Sequence, residues 1–316
     1  MRRSQVSTTD RGAIAVVAAI VFIPLSLMLA VVVDAGRVWV DKHRLQNGVE
    51  AAAVAVAAEW GANGVKCSSS SLAFVGGDGA RPDSTNCSIT GTQSSGVARV
   101  DAQESVSLIF GNLLGRETSQ VRASTAVRVG PAESVIGLWP FGLCVNHPSI
   151  AQWIAGGMSA GVSTRITFQE QNQRCGGDVS GNWATLDFSG GSNSNSETQS
   201  WIDSGYLGWV EVGDVISGSP GAPSISLAMT GVIGQSIQLP LYSNPRNQGA
   251  NALYTIVGFA QAVVVAAQFS GASAQRSITI RFERGTTSGG TGVGSGGNYG
   301  LIAWSVCSFD SFGECS

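Results

Sequence analysis

A long apolar segment near the N-terminus is the strongest pattern in the chain. Gly12 to Val33 contains 22 residues without a charge, and as a helix this segment measures about 33 Å at 1.5 Å per residue. Because a bilayer has a hydrocarbon core of about 30 Å, the segment predicts a membrane span. Pro24 lies inside it and predicts a kink, since the surroundings of a membrane helix re-satisfy the carbonyl that proline frees.

The helical pattern continues beyond this segment. Apolar residues recur at three- and four-residue spacing with polar residues between them, which is typical of a helix with one buried face. The residues of this face are Leu45, Val49, Ala52, Val56 and Trp60. Gly61, Asn63 and Gly64 then act as stop signals. We therefore expect one helix from about Gly12 to Trp60.

The next seventy residues predict a small αβ unit. Residues 61–96 are rich in Gly, Ser and Asn, which predicts a loop. Alternating apolar and polar positions then predict a strand over 97–110 and a returning strand over 121–129. The sequence Gly-Asn-Leu-Leu-Gly at 111–115 predicts a short helical turn between them.

From Pro131 onwards the pattern favours strands of a mostly antiparallel sheet. The predicted strands are 162–169, 184–188, 252–269, 275–284 and 301–307. Two helices are predicted, at 196–204 with Ser196 as a candidate N-cap, and at about 223–234. The glycine-rich run 285–300 is of low complexity and predicts a flexible segment.

The six cysteines indicate the compartment of the chain. All of them follow the apolar segment, their number is even, and no two have Cys-x-x-Cys spacing, which is typical of disulfides in an oxidising compartment. They are Cys67, Cys87, Cys144, Cys175, Cys307 and Cys315. We predict that they pair in chain order, the first with the second and so on. The bulk of the chain is then outside the cytoplasm, with the N-terminus inside.

Two interpretations of the apolar segment stay open, a single-pass anchor and a cleaved signal peptide. The sequence Val33-Asp34-Ala35 before Gly36 has a pattern similar to a signal-peptidase site. The apolar core of a signal peptide has about 7 to 15 residues, so the longer segment here favours the anchor. Basic residues flank the segment on both sides, and the positive-inside rule therefore does not decide the orientation.

Composition excludes several function classes. Charged residues make up 12% of the chain, the net charge is −3, and there are two lysines, so no basic surface for a phosphate backbone is expected. The two histidines, His43 and His147, leave little material for histidine-based catalysis or a histidine-rich metal site.

Three motifs are similar to catalytic or metal-binding sequences, and each also has a simpler interpretation. Gly157 to Gly161 matches the Gly-x-Ser-x-Gly nucleophile elbow, but no histidine follows Ser159 to complete a triad. Residues 186–192 are similar to the Asp-x-Ser-x-Ser loop that binds Mg²⁺, but Gly191 has no hydroxyl oxygen. Asp187, Asp203, Glu211 and Asp214 are candidates for a carboxylate pair. We predict no catalytic, cofactor or metal site.

Several N-terminal motifs together resemble a known family. They are Arg11-Gly12 before the span, Asp34-Ala35-Gly36-Arg37 after it, Lys42, Leu45-Gln46-Asn47 and the alanine-rich block 51–58. The segment resembles the N-terminal module of TadE/TadG-like proteins of the Tad (Flp) pilus system. It departs from the family pattern at Lys42, Gly48, Val49 and Glu50. Later pieces, notably around Trp183, Trp201 and Tyr254, are similar to those of short TadG-like proteins.

The resemblance implies a non-enzymatic, membrane-anchored assembly component with a pilin-like helix, of the minor pilin or pseudopilin type. Its partners are then other pilus or platform subunits and the lipid bilayer, without nucleic acid or a cofactor. The implied assembly residues are Asp34, Arg37, Leu45, Gln46, Val49 and Glu50. A prepilin-type cleavage after Gly12 is not favoured, because Val17 stands where such substrates usually have Glu.

The fold class predicted from all these patterns is α+β. We divide the chain into a transmembrane, pilin-like helix at 1–60 with its span at 12–33, an αβ unit at 61–130, and a β-rich exocytoplasmic domain at 131–316. The alternative function is a membrane-anchored envelope hydrolase or carbohydrate-binding module. It is motivated by the tryptophans and carboxylates between residues 183 and 214.

Overall fold

A computed structural model gives the architecture of the protein. It describes residues 8–159, 161, 163–167, 175, 183–190, 194–220, 231–247, 249–268, 272, 275–287 and 296–307. The contacts of the chain divide it into two compact units. The first contains the N-terminal residues up to Ala52 with Leu72–Cys87 and Val100–Thr125, and the second contains Ala53–Ser71, Ser88–Arg99 and the chain from Ala126 onwards. The division at residues 60 and 130 stays a prediction.

The helices confirm the main sequence prediction. They are α1 (Thr8–Asn63), α2 (Ser69–Leu72), α3 (Pro148–Ala155) and α4 (Asn195–Ser204). Helix α1 has 56 residues and contains Pro24, so the expected continuous helix is present. The predicted helix at 223–234 lies mostly outside the described residues, and its last four residues form a turn.

Helix α4 is confirmed, but its predicted N-cap is wrong. The cap is Ser194, whose Oγ accepts a hydrogen bond from the Glu197 backbone N–H at 3.2 Å. The Glu197 carboxylate in turn accepts from the Ser194 backbone N–H at 3.4 Å and from its hydroxyl at 2.8 Å. This is a capping box, and the hydroxyl and N–H of Ser194 lower the pKa of Glu197 because they stabilise its charged form.

The two predicted strands of the αβ unit belong to a five-stranded sheet. Its order is β1 (Ser84–Thr92), β2 (Ser95–Ser107), β3 (Thr118–Pro131), β14 (Leu301–Val306) and β13 (Gly285–Thr287). Strand β1 corrects the prediction of a loop over 61–96. It has no buried residue and lies at the sheet edge, so it lacks the apolar alternation by which a half-buried strand is recognised.

Two further corrections concern the C-terminal part of this sheet. Strand β14 pairs antiparallel with β3, although the sequence placed it with the later strands. The start of the glycine-rich run forms β13, which pairs in parallel with β14. The middle of that run, 288–295, lies outside the described residues.

The larger sheet lies in the second unit and has seven strands. In chain order they are β5 (Phe141–Cys144), β6 (Ser163–Thr167), β7 (Trp183–Asp187), β9 (Val215–Pro220), β10 (Ser236–Arg246), β11 (Ala252–Gln268) and β12 (Ser277–Glu283). The sheet order is β10-β5-β7-β9-β11-β12-β6, and β10 also pairs with β11. Strands β10, β5, β7, β9 and β11 therefore close into a ring. Strands β4 (Ser134–Val135) and β8 (Val210–Glu211) form a separate pair.

Strand β11 organises the core of this sheet. It pairs with β10 along most of its length, and with β9 and then β12 along its other edge. Its alternate side chains are buried from Ala252 to Val264. Those from Ala260 onwards join the cluster that contains Phe141, Leu143 and Trp183, and the earlier ones join a second core cluster. Each such side chain contributes about 1.5–3 kcal/mol on leaving water, so this core holds the ring together.

Strands β5, β9 and β10 and helix α3 were not predicted. Strand β10 contains Pro240 and Pro245, and proline within a segment argues against a central strand. The structure places Pro245 in the interruption of the ladder between Ser243 and Arg246, whereas Pro240 stays opposite Phe259 and precedes the shift between Leu241 and Tyr242. Such irregularities depend on the neighbouring strand and are not visible in the pattern of one strand.

The disulfides agree in part with the predicted pairing. Cys144 and Cys175 are joined, as predicted. Cys67, Cys87 and Cys307 are also disulfide-bonded, whereas Cys315 lies outside the described residues. The pairing of these other cysteines stays a prediction.

Replacing Cys144 and Cys175 together by Ala will lower the free energy of unfolding by about 2–4 kcal/mol. The bridge spans a sequence separation of 31 residues, and its loss gives the unfolded chain more conformations. Urea unfolding of the full chain in detergent, without reductant, measures the change. A variant that unfolds at the same urea concentration as the wild type would contradict the prediction.

Candidate assembly surface on the N-terminal helix

The upstream part of α1 exposes its apolar side chains. Between Ile14 and Val33 every residue except Ala30 is exposed, and the side chain of Phe22 is 68% exposed. In the described part of the chain, α1 alone is long and apolar enough to cross a membrane. Within the residues that the structure describes, this surface stays exposed, which is consistent with a single membrane anchor.

The downstream part of α1 is packed. Leu45 and Val49 are fully buried in the first unit, as are Val56 and Ala57 in the second. Gly48 lies on the same face, where a Cβ atom would be 2.2 Å from the carbonyl oxygen of Val75. Only glycine therefore permits this approach of helix and backbone, which explains the departure from the family pattern at residue 48.

Asp34 marks the change from the exposed to the packed part of the helix. Its side chain is buried, and its carboxylate accepts three backbone hydrogen bonds, from Ile109 at 2.8 Å, Phe110 at 3.0 Å and Gly111 at 2.7 Å. These N–H groups begin the 3-10 turn Gly111–Leu114, so Asp34 caps that turn from another element. The contact joins residues that are about 75 positions apart in the chain.

The charge state of Asp34 follows from these contacts. Burial raises the pKa of the carboxyl, but the N–H groups of the capped turn, together with Arg37, outweigh it, so the pKa lies below its ordinary value. A carboxylate is acceptor-only and matches three donors. Asp34 is therefore ionised at neutral pH, one residue beyond the predicted span.

The other predicted assembly residues differ in how far the fold uses them. The Gln46 amide donates to Glu50 at 2.8 Å and to the Thr125 hydroxyl at 3.1 Å. Arg37 and Glu50 are exposed. Asp34, Leu45 and Val49 thus serve the fold of this chain, whereas Arg37 and Glu50 are available to another molecule.

Sequence reasoning missed the apolar groove beside α1. It has a volume of about 440 Å³, and the residues that line it are Leu27, Ala30, Val31, Asp34, Ala35, Val38, Leu108, Phe110, Gly111, Leu113, Arg116 and Ser119. One wall is α1 and the other is the segment 108–116, here called the capped loop. Its apolar residues Leu108 and Phe110 had instead predicted a continuing strand.

The Gly-x-Ser-x-Gly motif lies in a different context from a nucleophile elbow. Ser159 is exposed and lies between helix α3 and strand β6, whereas the elbow is a turn from a strand into a helix. His147 is buried and caps α3, with its Nδ1 accepting from the Ser149 N–H at 3.2 Å.

The candidate carboxylates make local hydrogen bonds. Asp187 is buried and accepts from the hydroxyl of Ser189 at 2.8 Å. Asp203 accepts from Gln199 at 3.1 Å, and Asp214 accepts from the Glu211 backbone N–H at 2.8 Å. In the part of the chain that the structure describes, no cluster of three His, Cys, Asp or Glu residues is suited to a metal ion. Gly191 and Ser192 lie outside that part.

The candidate tryptophans differ in exposure. Trp183 is buried, while Trp201 packs edge-on against Phe188 at 5.4 Å and Tyr206 at 5.6 Å. Trp209 is 52% exposed. Trp183 and Trp201 therefore pack within the protein, whereas Trp209 does not.

Gly48→Ala will destabilise the protein by about 1–3 kcal/mol, because the new methyl group overlaps the Val75 carbonyl oxygen. Alanine improves helix propensity by about 1 kcal/mol, which is less than this steric cost. The matched control is Gly36→Ala, where no atom lies within 4 Å of the new Cβ. That variant will be as stable as the wild type or more so. Urea unfolding in detergent measures both, and equal stabilities of the two variants would contradict the prediction.

Asp34→Ala will accelerate hydrogen exchange at the amides of Ile109, Phe110 and Gly111, because it removes the acceptor of all three. Asp34→Asn keeps one carbonyl oxygen and will have an intermediate effect. Asp41→Ala, which removes only the surface pair with Arg44, is the control and will not change exchange at these amides. Hydrogen exchange with mass spectrometry in detergent measures this, and unchanged exchange in Asp34→Ala would exclude the cap.

Comparison with known proteins agrees with the geometry of α1. Residues 12–59 match the family model described as "Putative Flp pilus-assembly TadE/G-like", and the whole match lies within α1. No curated protein and no solved structure is significantly similar to the chain. The matched residues include the exposed apolar part, Asp34 and the packed face. The N-terminal helix of this protein is therefore a TadE/G-like segment, and this similarity supports a role associated with a pilus.

Proposed function

We propose that the protein is a non-enzymatic, membrane-anchored component of a Tad (Flp) pilus assembly or adhesion system, similar to a minor pilin or pseudopilin. The observation that carries the proposal is the division of α1 within the family match. Its upstream part exposes apolar side chains, and its downstream part packs into the protein. A helix of this kind joins a membrane to a folded region without a flexible linker.

The exposed apolar side chains in the upstream part of α1 favour a bilayer or a neighbouring apolar helix as their environment. Ile20, Phe22 and Leu29 are each at least 66% exposed. Burying one such side chain is favourable by about 1.5–3 kcal/mol, so the fourteen large apolar residues that are exposed between Ile14 and Val33 strongly favour insertion. The anchor is then single-pass, at the predicted span 12–33.

The disulfides support the orientation that we propose. The cysteines described all follow the apolar segment, and none of them is a free thiol. Disulfides persist in oxidising compartments, which favours a cytoplasmic N-terminus with the folded region outside.

Contacts with other pilus subunits are assigned to the surface of α1 that the fold leaves free. Arg37 and Glu50 are exposed, and a Cβ atom at Gly36 would meet nothing within 4 Å. A neighbouring helix can therefore approach closely at Gly36 and form ion pairs with the two charged residues. Each of these positions lies within the family match.

The absence of enzymatic activity is part of the proposal. It is supported by the helix–turn–strand context of Ser159 and by the local hydrogen bond that Asp187 accepts from the Ser189 hydroxyl. Activation of a serine hydroxyl requires an adjacent base. A hydrolase activity that is lost in Ser159→Ala, with folding retained, would overturn this part.

Phe22→Asp will abolish membrane retention or pilus assembly. A charge at the centre of a span costs about 2.5–3.5 kcal/mol on insertion scales, and no other charge lies between Gly12 and Val33 to share it. Arg37→Ala will be milder, since this side chain lies beyond the span. Fractionation of membranes and shear release of surface filaments measure the two effects.

Phe22→Leu is the matched control and will fractionate and assemble as the wild type does. If the Phe22→Asp protein remains in membranes and filaments form at normal levels, both the anchor and the assembly role are wrong. If the Phe22→Asp protein remains in membranes but no filaments form, this variant supports the assembly role and does not support the anchor.

A further inference from the structure

The capped loop lies beside the predicted span. A second groove joins the first and is lined by Phe22, Ile23, Ser26, Leu27, Ala30, Phe110 and Leu113. At 1.5 Å per residue, Leu27 is about 9 Å and Phe22 about 16 Å before the end of the span at Val33. A loop at this level cannot remain in water if the adjacent part of α1 is in the bilayer.

The side chains of the capped loop suit an apolar environment. Leu113 is 77% exposed, Ile109 is 52% exposed and Phe110 is 37% exposed. Large apolar side chains that are exposed together indicate an interaction with a membrane or a partner. The exposed polar and charged residues of the loop are Asn112 and Arg116, followed by Glu117.

The backbone N–H groups of the capped loop are also suited to an apolar environment. An unpaired N–H group in hydrocarbon costs several kcal/mol. Asp34 accepts from Ile109, Phe110 and Gly111. The N–H groups of Leu108, Leu113, Gly115 and Arg116 donate to carbonyls of residues 110–112 and 117. Seven donors of this short loop are therefore satisfied without water.

From these three observations we propose that the capped loop inserts into the bilayer leaflet that surrounds the C-terminal part of the span. The occupant of the grooves is the acyl chains of phospholipids, because the grooves continue the lipid-facing surface of α1. Arg116 is exposed and lines the first groove, and its charge matches the negative charge of lipid phosphates. The inference rests on the proposed anchor and adds a second membrane contact.

The consequence is a fixed position of the folded region on the membrane. A single helix allows rotation about its own axis, whereas a helix with an inserted loop presents one face to the bilayer. The faces of α1 that remain for neighbouring subunits are then those away from the capped loop.

The test places an environment-sensitive fluorescent amino acid at position 113, 29 or 85 of the full chain, reconstituted in phosphatidylcholine and phosphatidylglycerol vesicles. Leu29 reports on the span, and Thr85, exposed on β1 of the same unit, reports on water. Nitroxide lipids carry the quencher near the headgroup or near the bilayer centre. We expect quenching at 29 and 113 but not at 85.

The outcomes separate this inference from the anchor on which it rests. Quenching at 29 without quenching at 113 or at Ile109, a second exposed position of the loop, overturns the insertion and leaves the anchor intact. No quenching at 29 overturns the anchor and the insertion together. A benzophenone photocrosslinker at 113 distinguishes the occupants: phospholipid adducts support the proposal, and dimers of this chain in their place overturn it.

Discussion

The continuity of helix α1 through 56 residues is the constraint on which the other features of the N-terminal unit depend. A helix has no internal freedom of direction once one part of it is held. Leu45 and Val49 hold it by complete burial, at about 1.5–3 kcal/mol each, and Gly48 brings it against the backbone of Val75. The direction in which the apolar part leaves the unit is therefore decided by packing some twenty residues away.

Asp34 connects this constraint to the capped loop. In the resemblance to TadE/TadG-like proteins it belongs to a motif with an implied assembly role, yet its carboxylate is already used by three N–H groups of its own chain. The role that the structure gives to Asp34 is therefore to order the capped loop of its own chain. Gly36 and Arg37, two and three residues later, have no comparable use in the fold and are the better candidates for direct contact.

The β-rich region is stabilised differently, by strands that pair around buried apolar side chains. Five of its strands form a closed ring around large apolar side chains, so these five strands have no free edge on which another chain can pair, whereas β6 lies at the edge of the same sheet. The residues that motivated an enzymatic alternative are distributed through this framework in local roles. Asp187 fixes the turn after β7, His147 caps α3, and Trp183 fills the core.

The sequence by itself determined the long helix, its apolar and packed parts, and most strands with strong alternation, because periodicity reports burial on one face. It identified the Cys144–Cys175 pair and the family of the N-terminal segment as well. Only the tertiary structure decided the features that depend on a distant partner. Strand β1 has two exposed faces and therefore no periodicity, β10 accommodates Pro245 through a shift against β11, and β14 joins β3 across about 170 residues. The cap of Asp34 on Gly111 has the same origin, since nothing near Asp34 in the chain indicates which N–H groups its carboxylate will meet.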